Sequence, residues 1–273
     1  MRNAILILLL GAAALSLWAR RAEDPAHETI VLTGSSTMAP LMAAIGKRFE
    51  ESHPGVRVDV HTGGSSRGIA DVREAVATIG MVSRALEPSE SDLFAVPIAH
   101  DGVCLIVHRD NPVRALEREQ IRAIYTGRIE RWSAVGGRDA PITVVHKSAA
   151  HSTLRVFLHH FGLRNEQVQP DVVVGDNEQA IKTVAGNPDA IGYVSIGTAS
   201  HDAAHGVPIR LLPLAGIEPT VENVRTGRYP LRRPLLLVTR GRPEGAAKAL
   251  VELARSSRCT DLVRRHGFVP LAP

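Results

Sequence analysis

Three times in this sequence an apolar, strand-like run stops at a cluster of small hydroxyl residues, and a helical pattern begins at once. Ile30-Val31-Leu32 gives way to Thr33-Gly34-Ser35-Ser36-Thr37, after which Met38, Leu41, Met42, Ile45 and Phe49 share one helical face. The alternating run Val56–His61 ends in glycines followed by Ser65-Ser66, with Ile69, Val72 and Val76 at helical spacing beyond. Ile142–Val145 leads to Ser152-Thr153 and a helix whose apolar face is Leu154, Phe157, Leu158 and Phe161. Strands alternating with helices along the whole chain predict an α/β fold with largely parallel sheets. In such a sheet the strand-to-helix turns gather at the carboxyl edge, where ligands bind.

The 273 residues support one large domain or two modest lobes. Aromatic residues make up only 4%, which argues against a stacking surface for single-stranded nucleic acid. The net charge of +4 comes from scattered arginines, as on a solvated surface. After Met1-Arg2, the uncharged stretch AILILLLGAAALSLW has the length of a secretory core segment and is short for a membrane span. Arg20-Arg21 would hinder cleavage, so residues 1–22 read either as a signal peptide or as an N-terminal membrane anchor, and the rest lies outside the cytoplasm. Cys104 and Cys259 are too few and too far apart for a disulfide framework and are expected as unpaired thiols. No dimetal cluster or zinc-type Cys/His spacing supports a metallohydrolase or a metal site. His159 and His160 are adjacent and would diverge on a helix, as surface residues do.

Each hydroxyl cluster has two readings. Ser and Thr favour helix N-caps, worth about 1 kcal/mol each. Three such junctions meeting at one sheet edge would instead point helix N-termini, backbone N–H groups and short O–H donors at a shared cleft, a pocket for a small oxyanion. Arg84, ending IGMVSR, would bring a guanidinium fork that matches phosphate. Asp101, before Gly102, is either a turn residue or an acceptor for a ligand that still carries a proton. Phosphate keeps a proton near neutral pH and sulfate does not, so a carboxylate in the cleft would select against the fully ionised anion.

The segments VLTGSSTMAPLM, TGGSSRGI, IGMVSR, IAHDGV, IVHRDNPV, IRAIYTGRIERWSAVGG, HSTLRVFLHHFGL, AIGYVS and RPLLLVTRG resemble, in order, the extracytoplasmic phosphate-binding proteins of ABC-type phosphate importers. That resemblance implies a two-lobe, periplasmic-binding-protein-like fold of type II with the ligand cleft between lobes joined by a hinge. One lobe would comprise residues 29–99 plus 231–273 and the other residues 100–230. By position, the ligand groups would be Ser35, Ser36, Thr37, Ser65, Arg84, Asp101, Ser152 and Thr153. The third loop departs from the family's arginine-led, glycine-rich pattern: it reads HKSAAHST, with Lys147 at the arginine's place and His151 near a serine's. A lysine offers a point charge where an arginine offers a fork.

The implied function is non-enzymatic: capture of inorganic phosphate and delivery to an ABC-type permease in the inner membrane, by a monomer without a cofactor or nucleic-acid partner. The location is periplasmic or extracytoplasmic, with a tether if the leading segment stays uncleaved. Two other readings share the pocket: a receptor for sulfate or molybdate, and a tethered phosphate sensor.

Overall fold

The computed structural model describes residues 28–271, so the signal or anchor segment expected over residues 1–22 lies outside the described residues. Among the described residues, no helix is long and apolar enough to cross a membrane.

The α/β expectation holds, and the first hydroxyl junction shows why. Strand β1 (Glu28–Gly34) buries Ile30 and Leu32, and helix α1 (Ala39–Ser52) buries Leu41, Met42, Ile45 and Phe49 against the same core. Full burial of each such side chain is worth roughly 1.5–3 kcal/mol, which sets the face that α1 presents to the sheet. Strand β2 (Val56–Thr62) alternates half-buried and exposed residues, as an edge strand covered on one side must. Helix α2 (Ser65–Arg73) buries Ile69 and Val72, but Val76 is exposed. The helix has ended by then, and Ala75 adopts a positive φ of 58° that turns the chain away.

The expectation of largely parallel sheets needs correction. Strand β1 is parallel to β2 and to β3 (Ile79–Val82). Further on, β5 (Thr143–Lys147) is parallel to β6 (Val172–Val174) and β7 (Ala190–Ser195). Between these groups the pairing is antiparallel. The 15-residue strand β4 (Phe94–His108) runs against β9 (Arg232–Thr239) over its first part and against β7 and β8 (Ile209–Leu212) over its second. The resulting order is β2-β1-β3-β9-β4-β7-β5-β6, with β8 and the short β10 (Val269–Pro270) also on β4. Alternating strand and helix patterns report neither strand direction nor which distant strand returns beside which. The central pair, β4 and β9, passes through the sheet in opposite senses.

Those two strands join two apolar bodies. One core includes Ile30, Phe49, Ile98, Ala99, Leu235 and Leu250; the other includes Val103, Ile106, Trp132, Phe157, Tyr193 and Leu231. The chain therefore passes from the first to the second between Ala99 and Val103, and returns between Leu231 and Leu235. Asp101 and Arg233 lie at these two passages, and β4–β9 register sets them directly opposite each other. Helix α3 (Arg118–Tyr125) and helix α4 (Ser152–Phe161) pack on the second body, where Leu154, Phe157, Leu158 and Phe161 are all buried as their spacing predicts.

Cys104 belongs to the second core and Cys259 to the first; both are buried and free. A thiol reagent should therefore label neither in the native protein and both after denaturation. Titration of the unreduced, denatured chain distinguishes this from a paired state, which would give no reactive thiol.

Candidate functional site

None of the three hydroxyl clusters caps its helix. The N-cap positions of α1, α2 and α4 are Met38, Gly64 and His151, and none accepts a hydrogen bond through its side chain. The fold caps helices elsewhere in the ordinary way. Asp176 accepts from the Gln179 N–H at the start of α5 (Asn177–Ala185), and Thr220 from the Asn223 N–H at the start of α7 (Val221–Arg225), α6 being Ile196–Ala204. Ser35, Thr37, Ser65, Ser152 and Thr153 are instead buried between the two bodies.

Arg233 ties them together. Its Nε and Nη2 donate to Asp101 Oδ2 at 3.1 and 2.7 Å, and both side chains are only 1% exposed. From the same guanidinium, Nη2 reaches Thr37 Oγ1 at 3.1 Å, and Nη1 reaches Ser83 Oγ and Thr153 Oγ1, each at 3.3 Å. Ser35 Oγ donates to Ser83 Oγ at 2.9 Å, and the Ser83 N–H donates to Ser65 Oγ at 3.2 Å. Two of the junctions thus reach this buried cation directly, through Thr37 and Thr153, and the second reaches it through Ser83. The ion pair is a consequence of register: opposite residues in an antiparallel pair point to the same face. A charge buried this deeply needs such a partner.

The loop conformations that permit this depend on glycine at two places. Gly34, at φ +127°, lets the Ser35 N–H reach the Met81 carbonyl at 2.9 Å; a β-carbon there would sit 2.4 Å from that same oxygen. Gly64, at φ +89°, faces Ala150 of the other body, and its β-carbon would fall 2.4 Å from the Ala150 carbonyl. The bodies touch here directly, with the Ser66 N–H on that carbonyl at 3.2 Å. Asn177 Nδ2 crosses to Thr37 Oγ1 at 3.1 Å, and Arg155 makes a half-exposed ion pair with Glu87 at the rim.

Lys147, the last residue of β5, is also buried. Its N–H donates to the Tyr193 hydroxyl at 3.2 Å, and its Nζ donates to the Asp176 carbonyl. Desolvation pulls its ammonium down to about 7; Arg233 adds to the effect, while Asp176 and Glu178 oppose it. Burial, with Lys147 close by, likewise lowers the half-buried His151 imidazole. Ser152 Oγ is buried without a hydrogen-bond partner among the described residues.

Two expected residues stand apart. Arg84 is buried, but its fork closes on Glu90 through two 2.7 Å bonds, with a third to the Ala85 carbonyl at 2.9 Å. Burial alone would raise the Glu90 carboxyl; hydrogen bonds from Arg84 and the Glu87 N–H outweigh it and hold Glu90 below its usual range. The guanidinium at the centre of these contacts is that of Arg233, which the sequence reading did not single out. Ser36 is half-buried and lines an outer groove of about 350 Å³ with Pro40, Val60, Asp176 and Glu178. Sequence reasoning also missed Ser83 and Asn177. The available signal for Arg233 was Arg232-Arg233 leading an apolar strand, where period-two alternation must turn one arginine inward. Arg232 is exposed and Arg233 is not.

The assembled group is rich in O–H, guanidinium and ammonium donors and holds one carboxylate. Among the described residues, none of Ser35, Ser65 and Ser83 has a histidine as hydrogen-bond partner, the arrangement an activated serine requires. Among the described residues, no cluster of three or more His, Cys, Asp or Glu side chains could hold a metal ion. Donors this dense in a dry space suit a small oxyanion.

A family model described as a PBP superfamily domain matches residues 19–257. The phosphate-binding protein PstS of Bacillus subtilis is 27% identical over 256 residues, covering 92% of this chain and 83% of that protein. A crystal structure from Clostridium perfringens, with bound phosphate, of a protein assigned as a phosphate ABC transporter substrate-binding protein is 31% identical. It superposes with a TM-score of 0.84 over 90% of this chain and 100% of that one. An ABC-type phosphate transport receptor from Vibrio cholerae is 30% identical, with a TM-score of 0.74 over 89% and 100%.

Removing one member of the central pair strands a buried charge. Asp101→Asn is expected to lower unfolding free energy by about 3–5 kcal/mol. The Asp101→Leu, Arg233→Met double variant should lose less than the sum of its single changes. Urea denaturation of Asp101→Asn beside the wild type measures the first, and the four proteins of the Asp101→Leu, Arg233→Met double-mutant cycle measure the second.

Proposed function

This chain belongs to the PBP superfamily, among the phosphate-binding receptors of ABC transporters, and from that membership we propose that it captures inorganic phosphate between its two bodies. It is a receptor and not an enzyme. The observation that carries the reading is the convergence of three uncapped hydroxyl junctions on the buried Arg233–Asp101 pair.

The ligand set we assign is Ser35, Thr37, Ser65, Lys147, Ser152 and Thr153, with Arg233 in the role first given to Arg84 and with Ser36 contributing from its backbone. Ser152 Oγ, buried without a partner, is a donor ready for an anion's oxygen. Arg233 occupies Asp101 Oδ2, while Oδ1 has only the Gly197 N–H at 3.4 Å. That oxygen retains capacity to accept the proton of a hydrogen phosphate.

The two bodies act as lobes, residues 29–99 with 231–273 and residues 100–230, hinged where β4 and β9 pass between them. Arg233 and Thr37 contribute from one lobe, and Lys147, Ser152 and Thr153 from the other. Ligand stabilises the closed arrangement by its differential affinity for it, and the Ser66–Ala150 and Arg155–Glu87 contacts form in the same movement. An ABC-type permease in the membrane then reads closure. The receptor works outside the cytoplasm as a monomer, free or tethered by its leading segment.

Calorimetric titration of the purified protein with phosphate and with sulfate tests this. Phosphate should bind one per chain and, at a hundred times its Kd, add about 2.7 kcal/mol to unfolding free energy. Sulfate should bind far more weakly, and Asp101→Asn should narrow that gap. Equal affinity for both anions at neutral pH would replace phosphate with a general oxyanion as ligand; binding of neither would end the proposal.

A further inference from the structure

The buried cations differ in how their charge is balanced. Arg233 has Asp101, and Arg84 has Glu90, each within a buried pair. Lys147 is 2% exposed and makes no ion pair among the described residues. Its Nζ has one described acceptor, the main-chain carbonyl of Asp176, although an ammonium carries three donors.

The ionisable groups around it explain the imbalance. From the start of α5, the Asp176 carboxylate is engaged as the helix cap on the Gln179 N–H at 2.8 Å. Glu178 lines the outer groove beside Ser36, and burial together with Asp202 and Asp176 raises its carboxyl. From β9 comes the positive charge of Arg233, and from the third loop comes His151, whose imidazole is pushed toward its neutral form. On the strand itself His146 is buried and turned to Tyr193 Oη at 2.9 Å and Asn165 Oδ1 at 3.1 Å; burial lowers it also. Among the described residues no carboxylate lies within ion-pair distance of Nζ, and Arg233 and Asp101 cancel. The charge of the ligand group therefore follows the protonation of Lys147.

We propose that Lys147 is a proton-gated counter-charge for the bound anion, so that capture of phosphate at neutral and alkaline pH is coupled to uptake of a proton by this lysine. The inference rests on the phosphate reading above and gives the replaced residue of the third loop its role. An arginine there would stay charged throughout the accessible pH range and could not act in this way.

The sign follows from burial. Without an anion, desolvation favours the neutral amine once pH rises past about 7. A phosphate dianion placed against Nζ favours the ammonium and moves its titration upward. Between the two midpoints the complex holds one more proton than its separated partners, so affinity falls as pH rises, approaching about tenfold per pH unit. Below the lower midpoint Lys147 is already charged and the coupling disappears.

Calorimetry of the purified protein with inorganic phosphate, in buffers of different ionisation enthalpy, counts the protons taken up. The wild type should take up close to one at about pH 8–9. Lys147→Arg should take up markedly less and show a flatter affinity profile, whatever its absolute affinity. Equal uptake in both proteins, or none in the wild type, overturns the inference while leaving phosphate binding intact. The wild type supplies a second measurement, since only four lysines are present. One lysine side-chain carbon resonance should titrate near neutrality and move upward when phosphate is added, and a midpoint that does not move refutes the coupling. If phosphate binds at no pH, the functional proposal falls first and this inference with it.

Discussion

A guanidinium and a carboxylate shut away from water must find each other, and in this fold they do so at the one place where both connecting strands pass. The Asp101–Arg233 pair links residues that are remote in sequence through the β4–β9 register. A shift of one residue would turn one of the two charges to the opposite face and leave its partner uncompensated in a dry interior. The pair thereby fixes the pairing of the central strands. It also presents the remaining guanidinium hydrogens to Thr37, Ser83 and Thr153. Architecture and candidate chemistry share a single interaction.

Around that pair, loop geometry settles a question that local sequence leaves open. Ser and Thr before a helix are ordinary caps, and Thr220 is one here. At the three junctions around Arg233 the hydroxyls point instead into the space between the bodies, and the helices begin on Met38, Gly64 and His151 without side-chain caps. Giving up three caps forgoes about 1 kcal/mol each. Such a concession, concentrated in one place, is what a site built for a polar guest requires.

Local pattern carried well and long-range pairing did not. Helix faces such as Leu41–Ile45–Phe49 and Leu154–Phe157–Phe161 were legible because a 3.6-residue period is written within one element. The hydroxyl loops, Asp101 and Lys147 were legible because each terminates or follows an apolar strand. Arg84 was singled out on the same grounds, and Arg233 was not. What separates them is Glu90, six residues beyond Arg84, folding back to close its fork, and Asp101 arriving opposite Arg233 from another strand. Strand direction was hidden for a related reason: antiparallel return of β9 beside β4 leaves no mark in either strand's own residues. Val76 shows the limit of periodicity, since a helical face continues on paper past the residue where Ala75 turns the backbone.

The second loop meets the third with no room between Gly64 and the Ala150 carbonyl. Every codon change that replaces this glycine installs a β-carbon, and the backbone dihedral there disfavours all of them. Such a lesion would sit on the rim of each body, outside both cores, so each half could still fold. Inherited variation at this single codon should thus yield a chain whose halves fold yet meet less closely, a defect that abundance measurements would never reveal.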